Sequence, residues 1–299
     1  MVIPTHGRPQ LLRQAVQSIL DQRYPGDIEV LIVFDREDPV EPDLRLPPQR
    51  EVRLLTNDRT PGPAGAYNVG ALTATGTYLA LCDDDDEWLP DKLRMQVALL
   101  ERNPSAIFAC CGIYLGDEST STKNPARVPQ KEVLTLDDLL TTARNALHSS
   151  TFIVRLEPML RDVGLVDEEI PGSYGEDFDW LLRSALVAPV LAVGQPLVRV
   201  RWKYSYFSDR WQTILDSLQY QLEHRPEFHR QRGNLARIYG RMAFAQAALG
   251  RGRDARVNAW RSLRLEPVQT RVYLAYLVSW GLVKPETVMK VLPRMGRGV

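Results

Sequence analysis

Tyr78–Leu93 reads YLALCDDDDEWLPDKL. Its first five residues form an apolar run of strand length. Four consecutive carboxylates, Asp83–Asp86, follow at once, and Glu87 extends the run. Adjacent carboxylates repel and raise one another's pKa values unless a cation lies among them. A hard divalent ion with oxygen ligands removes that cost. Mg2+ or Mn2+ bridging a diphosphate is the usual chemical use of such a cluster. The competing reading is a solvated acidic turn. Placement at the end of a strand, inside a strand–helix alternation, favours the ion.

That alternation extends on both sides. Upstream, Met1–Pro4 reads as the end of a buried strand, short enough that a missing upstream piece or a trimmed start is expected. Pro9 suits the first turn of a helix, where its missing N–H costs nothing. Leu11, Leu12, Ala15, Val16, Ile19 and Leu20 then share one face at helical spacing. Tyr24-Pro25-Gly26 ends that helix. Ile28–Phe34 is a near-continuous apolar run, the pattern of a strand covered on both faces. Residues 37–49 form a proline- and acid-rich loop, and Glu51–Thr56 a third strand. Pro61–Gly65 is a turn cluster that opens a short helix through Ala74. Downstream, Asp91–Arg102 reads as a helix with Leu93, Val97, Leu99 and Leu100 facing the core, and Ala106–Tyr114 as another strand. Strands alternating with helices mean right-handed crossovers and a mostly parallel sheet, in which ligands sit at the carboxyl ends of strands. Phe34-Asp35 and Cys82–Asp86 lie at such ends.

At 299 residues, 44% hydrophobic and 25% charged, the chain can bury a sizeable core without staples. Its three cysteines, Cys82, Cys110 and Cys111, have no metal-binding spacing; a reducing compartment and no disulfide framework are expected. No leader is expected, because an apolar run and Pro4 follow Met1 directly. No stretch reaches the about 18 apolar residues that a spanning helix needs.

The net charge of +0 hides an asymmetry. Arg225–Val299 holds 15 Arg or Lys against 4 Asp or Glu, an excess of +11, so Met1–His224 carries −11. After Tyr206 the chain becomes helical and arginine-rich. Within it, Ile238–Pro267 reads as a helical hairpin with Gly250 at its turn and Ala255 and Ala259 as small packing positions. The hairpin resembles a single tetratricopeptide unit, which cannot bury its own face and is expected to dock on the rest of the chain. The apolar stretch Val272–Val283, followed by Lys284, Lys290, Arg294 and Arg297, is expected to be buried, with contact to an anionic membrane surface as the rival reading.

Three ordered stretches give a family resemblance: Ile3–Pro25 (IPTHGRPQLLRQAVQSILDQRYP), Tyr78–Leu93, and GLVDEEI with GEDFDWLLR between Gly164 and Arg183. Together they resemble the family 2 glycosyltransferases of GT-A fold, over roughly the first 205 residues. D-x-D alone would be weak; the ordered combination is specific. The resemblance implies an α/β GT-A domain over residues 1–205, a mostly parallel sheet flanked by helices, and a C-terminal helical region over 206–299. It implies an inverting, metal-dependent transfer of a sugar from a nucleotide-diphosphate donor, a UDP-sugar, to a hydroxyl acceptor. Asp85 would then ligate Mn2+ or Mg2+, and Asp83 would reach the metal or the donor ribose. Pro4, Thr5, His6 and Arg8 would form the donor loop with Asp84, Asp35 would meet the uracil edge, and Asn68 would lie near the phosphates. Of the acidic pair Glu176-Asp177, Asp177 would be the general base.

Trp88 and Trp180 have two readings, pocket lining and core. The sequence departs from the family pattern at Arg199–Lys203, where a histidine is usual and Arg201 or Lys203 would serve as the phosphate cation. It departs again at Tyr67-Asn68, where an arginine is usual. Acceptor choice is expected to lie in Gly116–Gln130 and the C-terminal helices. A cytoplasmic location, peripheral to the inner face of a membrane, and a homo-oligomer are compatible expectations; no nucleic-acid partner is expected. Two other readings remain. A nucleotidyltransferase would favour a lysine-containing, glycine-rich first loop, unlike PTHGRP. A non-catalytic adaptor would not need intact Asp83, Asp85 and Asp177.

Overall fold

The computed structural model describes residues 1–116, 126–141, 146–201 and 210–291. The chain divides into two compact units, Met1–Glu168 with Gly175–Tyr204, and Glu169–Tyr174 with Ser205–Val299. Among the described residues no helix is long and apolar enough to cross a membrane.

The first unit is an α/β domain. Strands β1 (Val2–Thr5), β2 (Ile28–Phe34) and β3 (Arg50–Thr56) form a three-stranded parallel sheet in that order. Residues Val30–Val33 of β2 are fully buried, as their unbroken apolar run requires. Helix α1 (Pro9–Leu20) opens on proline and buries Leu12, Ala15, Val16, Ile19 and Leu20 of the face that its spacing predicts, with Leu11 half-buried at its rim. Helix α2 (Pro63–Thr73) starts inside the expected turn cluster Pro61–Gly65, with proline in its first turn. Gly65 allows that turn: a Cβ there would sit 2.0 Å from the Thr60 carbonyl oxygen.

The second sheet is mixed. Its path runs β4 (Tyr78–Ala80), β8 (Ile153–Arg155), β6 (Phe108–Leu115), β9 (Val190–Val200) and β5 (Glu87–Trp88), with β7 (Val133–Leu134) also paired to β9. Only β6 and β9 pair in parallel; β4–β8, β6–β8, β5–β9 and β7–β9 are antiparallel. A parallel bridge between Val2 and Leu81 joins the two sheets. Helix α3 (Lys92–Arg102) buries Leu93, Leu99 and Leu100 but also Lys92 and Gln96, while Val97 is only partly buried. Helix α4 (Leu136–Leu140) is closed by a Thr135–Asp138 capping box, and α5 (Glu176–Val187) begins after Gly175 in the left-handed region. Trp88 and Trp180 are both core residues, each 2% exposed.

The register positions the site. Thr5 pairs with Phe34 and Phe34 with Thr56, so the carboxyl ends of β1, β2 and β3 are level. Asp35 N–H donates to the Thr5 carbonyl at 2.9 Å and Cys82 N–H to the Val2 carbonyl at 3.1 Å. His6, Asp35 and the Asp83–Asp86 run therefore emerge along one edge.

The second unit consists of helices α6 (Trp211–His224), α7 (Arg232–Ala248), α8 (Gly252–Leu265), α9 (Thr270–Ser279) and α10 (Pro285–Val291). Helices α7 and α8 are the hairpin read from the sequence, and Gly250 makes its turn at φ 77°. Small residues let the helices approach closely: Ala243, Ala255, Ala259, Val272 and Ala275 are buried together with Phe244. Helix α6 holds the segment Glu169–Tyr174, with Ser217 Oγ and Gln221 Nε2 donating to the Tyr174 carbonyl at 2.6 and 2.9 Å. The stretch Val272–Val283 is not wholly buried. Val272, Ala275 and Val278 face the core, and Tyr273, Leu277, Trp280 and Leu282 are exposed.

Candidate functional site

Strand β4 delivers its four aspartates into a pocket of polar partners, and neighbours alternate in burial. Asp84 and Asp86 are buried, 1% and 2% exposed, whereas Asp83 and Asp85 are half-buried. Each buried carboxylate has a tailored environment. Thr5 Oγ1 donates to Asp84 Oδ2 at 2.8 Å, and the Arg8 guanidinium spans Asp84 Oδ1 and Asp85 Oδ2, both at 2.7 Å. Ser150 Oγ donates to Asp86 Oδ2 at 2.5 Å, and the Arg201 backbone N–H reaches Asp86 Oδ1 at 3.2 Å. Asp83 Oδ1 accepts from the Tyr67 hydroxyl at 2.6 Å and from Ser149 Oγ at 3.1 Å.

His148 joins the cluster from the loop before β8. Its Nδ1 lies 3.2 Å from Asp86 Oδ2, and its Nε2 lies 3.9 Å from Asp83 Oδ2. One ligand atom each from Asp83, Asp86 and His148 lies within 4.8 Å of the others.

The electrostatics are those of an acidic site short of positive charge. Burial raises Asp84 to about 7, against the pull of Arg8. Burial likewise raises Asp86 to about 7, with His148 pulling it down. Asp85 is raised by burial and by Asp83, with Arg8 opposing. Burial alone would lower the His148 imidazole, but the charges of Asp86, Asp83, Asp177 and Asp85 outweigh it and raise it. Carboxylates held partly protonated by burial lose their protons readily to a divalent cation. Two carboxylates and an imidazole accept Mn2+ more readily than Mg2+, which keeps to oxygen and water. The residues present therefore fit a divalent ion.

The remaining sequence-derived positions divide. Thr5, Arg8, Asp83, Asp84 and Asp85 are brought together directly. Pro4 lies in β1 just before Thr5. His6 is largely exposed beside them, its Nδ1 2.8 Å from the Asp35 carbonyl oxygen. Asp35 accepts from Asn57 Nδ2 at 2.8 Å, the Gly62 N–H at 3.1 Å and Arg36 Nε at 3.1 Å. Burial would raise its carboxyl, but these donors together hold it below its ordinary value. Asn68 is spent elsewhere. Its amide donates to the Val166 carbonyl at 2.9 Å and to Glu168 Oε1 at 2.6 Å, and its Oδ1 accepts from the Val166 N–H at 2.9 Å. The side chain that reaches the aspartates from α2 is its neighbour Tyr67.

Glu176 and Asp177 open helix α5. Glu176 is buried, and burial with the charge of Asp177 pushes it well above the ordinary carboxylate range. Asp177 Oδ1 accepts from the Phe178 N–H at 2.7 Å. The charges of Asp177 and Asp83 are felt by His148 and that of Asp83 by Glu176, so the acidic pair and the quartet share one electrostatic neighbourhood. Arg201 contributes its backbone N–H. Trp202 and Lys203 lie outside the described residues, as do 117–125 within the loop Gly116–Gln130, and Arg294 and Arg297 of the tail.

His148, Tyr67, Ser149 and Ser150 had not been singled out as ligating or supporting residues. The one local signal was polar: His148-Ser149-Ser150-Thr151 directly precedes the apolar run Phe152–Val154. It thus reverses the order around Asp83, where the buried strand comes first and the polar cluster follows.

Comparison with known proteins bears on the family and the fold. Over 103 residues the chain is 27% identical to the UDP-Glc:alpha-D-GlcNAc-diphosphoundecaprenol beta-1,3-glucosyltransferase WfgD of Escherichia coli, covering 34% of this chain and 41% of that one. The chain thus spans less than half of that relative. Among solved structures, S. aureus TarS 1-349 in complex with UDP-GlcNAc superposes with a TM-score of 0.58 at 16% identity, covering 99% of this chain and 91% of that one. The mannosyltransferase PcManGT from Pyrobaculum calidifontis, in complex with GDP-Man and Mn2+, gives 0.56 at 15% identity, covering 96% and 81%. These likenesses establish the GT-A fold. The family model "Glycosyl transferase family 2" matches residues 1–158, more than half of the sequence, and the chain belongs to that family.

Proposed function

We propose that the protein is an inverting glycosyltransferase that takes a sugar from a nucleotide-diphosphate donor, a UDP-sugar, and passes it to a hydroxyl acceptor. The observation that carries the reading is the Asp83–Asp86–His148 cluster at the carboxyl edge of the sheet, beside Asp35 and the Thr5–Arg8 loop. Asp83, Asp86 and His148 would hold Mn2+, with Asp85 next to it on Arg8. The ion, when bound, neutralises the diphosphate and makes it a better leaving group. Asp35 would offer a nucleoside base its carboxylate edge and His6 its ring face. The UDP-GlcNAc complex of TarS and the GDP-Man and Mn2+ complex of PcManGT support a nucleotide-sugar and a metal.

In the transfer, Asp177 removes the acceptor hydroxyl proton while that oxygen bonds to the anomeric carbon. The bond from that carbon to the diphosphate oxygen breaks, and the nucleoside diphosphate departs with the electron pair. One displacement inverts the anomeric centre. Burial and Asp177's charge favour the protonated form of Glu176, which leaves the proton-accepting role to Asp177.

The test is a panel of UDP-glucose, UDP-GlcNAc and GDP-mannose, scored for release of nucleoside diphosphate with Mn2+ and with chelator. Metal-dependent release from a UDP-sugar is the expected result. Release that ignores chelator contradicts the metal assignment, and preference for GDP-mannose contradicts the base assignment.

A further inference from the structure

Seven of the thirteen large apolar side chains exposed among the described residues lie between Val257 and Leu282 of the second unit. All three exposed aromatics, Trp260, Tyr273 and Trp280, are among the seven. They form stripes. On α8, Arg253, Val257, Trp260 and Arg264 recur at helical spacing on the outer side, while Ala255, Asn258, Ala259 and Ser262 are buried. On α9, Tyr273, Leu277 and Trp280 recur likewise, opposite buried Val272, Ala275 and Val278.

The helices run antiparallel. At one end the Gly252 Cα faces the Ser279 carbonyl, and at the other the Tyr273 hydroxyl donates to the Pro267 carbonyl at 3.1 Å. Trp260 and Trp280 are 55% and 61% exposed, which is unusual for the residue type with the most apolar area to lose. Cations edge the apolar stripe: the Arg264 guanidinium lies 4.6 Å from the Trp260 ring centroid. From Arg251 to Arg271 the chain has six arginines against Asp254 and Glu266.

We propose that the outer face of α8 and α9 docks on an anionic lipid surface, with Trp260, Tyr273 and Trp280 at headgroup depth and Arg253 and Arg264 on lipid phosphates. Tryptophan and tyrosine favour that depth because their rings are apolar with a polar edge. Arginine beside them gains from the negative surface potential. A second copy of this chain fits the face less well, because a two-fold contact sets the same cations against each other.

The experiment is co-sedimentation of the full chain with vesicles of phosphatidylcholine alone and of phosphatidylcholine mixed with phosphatidylglycerol. The protein is expected to pellet with the mixed vesicles only and to be released by high salt. Trp260→Ser with Trp280→Ser should abolish pelleting. Arg253→Gln with Arg264→Gln should weaken it by about thirtyfold. All four positions are exposed, so circular-dichroism melting should not move. Absence of pelleting with either vesicle overturns the proposal, as does pelleting unaffected by the tryptophan pair. A soluble dimer that the tryptophan pair converts to monomer, without vesicle binding, assigns the face to a second copy and likewise overturns it.

Discussion

The edge of the first unit and the outer helices of the second break the ordinary rules of burial in opposite directions. At the edge of the sheet, Asp84 and Asp86 are buried as charged residue types, crowded by Asp83 and Asp85. On α8 and α9, Trp260 and Trp280 are left in solvent. Burying a carboxylate costs free energy unless a cation or donors compensate, and exposing a tryptophan forgoes the gain of burying it. Neither arrangement helps the isolated fold. Each therefore points to something that the chain binds, a cation and an anionic donor in the first case and a lipid surface in the second. Lys92 shows the same inversion without a ligand to justify it. It is fully buried over the Trp88 ring, 3.7 Å from its centroid, and among the described residues Nζ has no hydrogen-bond partner.

The largest effect that sharpens this contrast is at the acidic pair. Asp177→Asn is expected to lower transfer by about 10²–10⁴-fold, the usual contribution of a positioned base, while UDP and Mn2+ still bind. Single-turnover kinetics with saturating acceptor reads it, and near-normal turnover removes Asp177 from the role.

Lys92 gives the next effect. Burial lowers its ammonium to about 8, against about 10.4 in an unfolded chain. Below about 8 both states are charged and the full penalty of the buried ammonium is present. Between about 8 and 10.4 only the unfolded state holds the proton, so this group makes stability rise with pH. Lys92→Met is therefore expected to stabilise the fold near pH 7 by up to roughly 3 kcal/mol, less what the Trp88 face returns. Urea titrations at pH 7 and pH 9.5 should show the gap between wild type and variant closing at the higher pH. A gap that widens contradicts the sign.

The smallest effect is a control with no inversion of burial. Thr135→Ala breaks the capping box of α4, in which Asp138 N–H donates to Thr135 Oγ1 at 3.3 Å and Thr135 N–H to Asp138 Oδ2 at 3.0 Å. The expected loss is about 1 kcal/mol, seen as a small fall in Tm with unchanged transfer activity.

Elements whose burial follows from local pattern were legible in the sequence. Ile28–Phe34 has the same bounds as a strand in both readings, and the helix after Pro9 and the turn at Gly250 stand where proline and glycine put them. Strand β9 was not legible from periodicity, because Gly194, Gln195 and Pro196 interrupt its apolar run. The antiparallel pairings of the second sheet were hidden for a related reason. Strand β8 is three residues long and is defined by its partners β4 and β6 rather than by its own pattern.

The site divides in the same way. The aspartate run stood out because it sits at a strand end, and Thr5 and Arg8 through the family resemblance. The structure brings them together, but with Asp85, expected as the direct metal ligand, on Arg8 and Asp86 in the three-ligand cluster instead. His148 and the Ser149–Ser150 pair approach the aspartates from more than sixty residues away in sequence, and no spacing rule connects them. Asn68 was expected at the donor, but its amide is consumed by residues 166–168, a pairing nearly one hundred residues apart.

The most direct measurement is calorimetric titration of UDP into the full chain with Mn2+, with chelator, and in His148→Gln and Asp83→Asn. The account predicts binding that needs Mn2+ and that weakens by at least about 10–100-fold in His148→Gln, since the loss of a residue that merely supports a metal ligand already costs that much, with a larger loss in Asp83→Asn. Equal affinity in chelator, or His148→Gln and Asp83→Asn both indistinguishable from wild type, would contradict it.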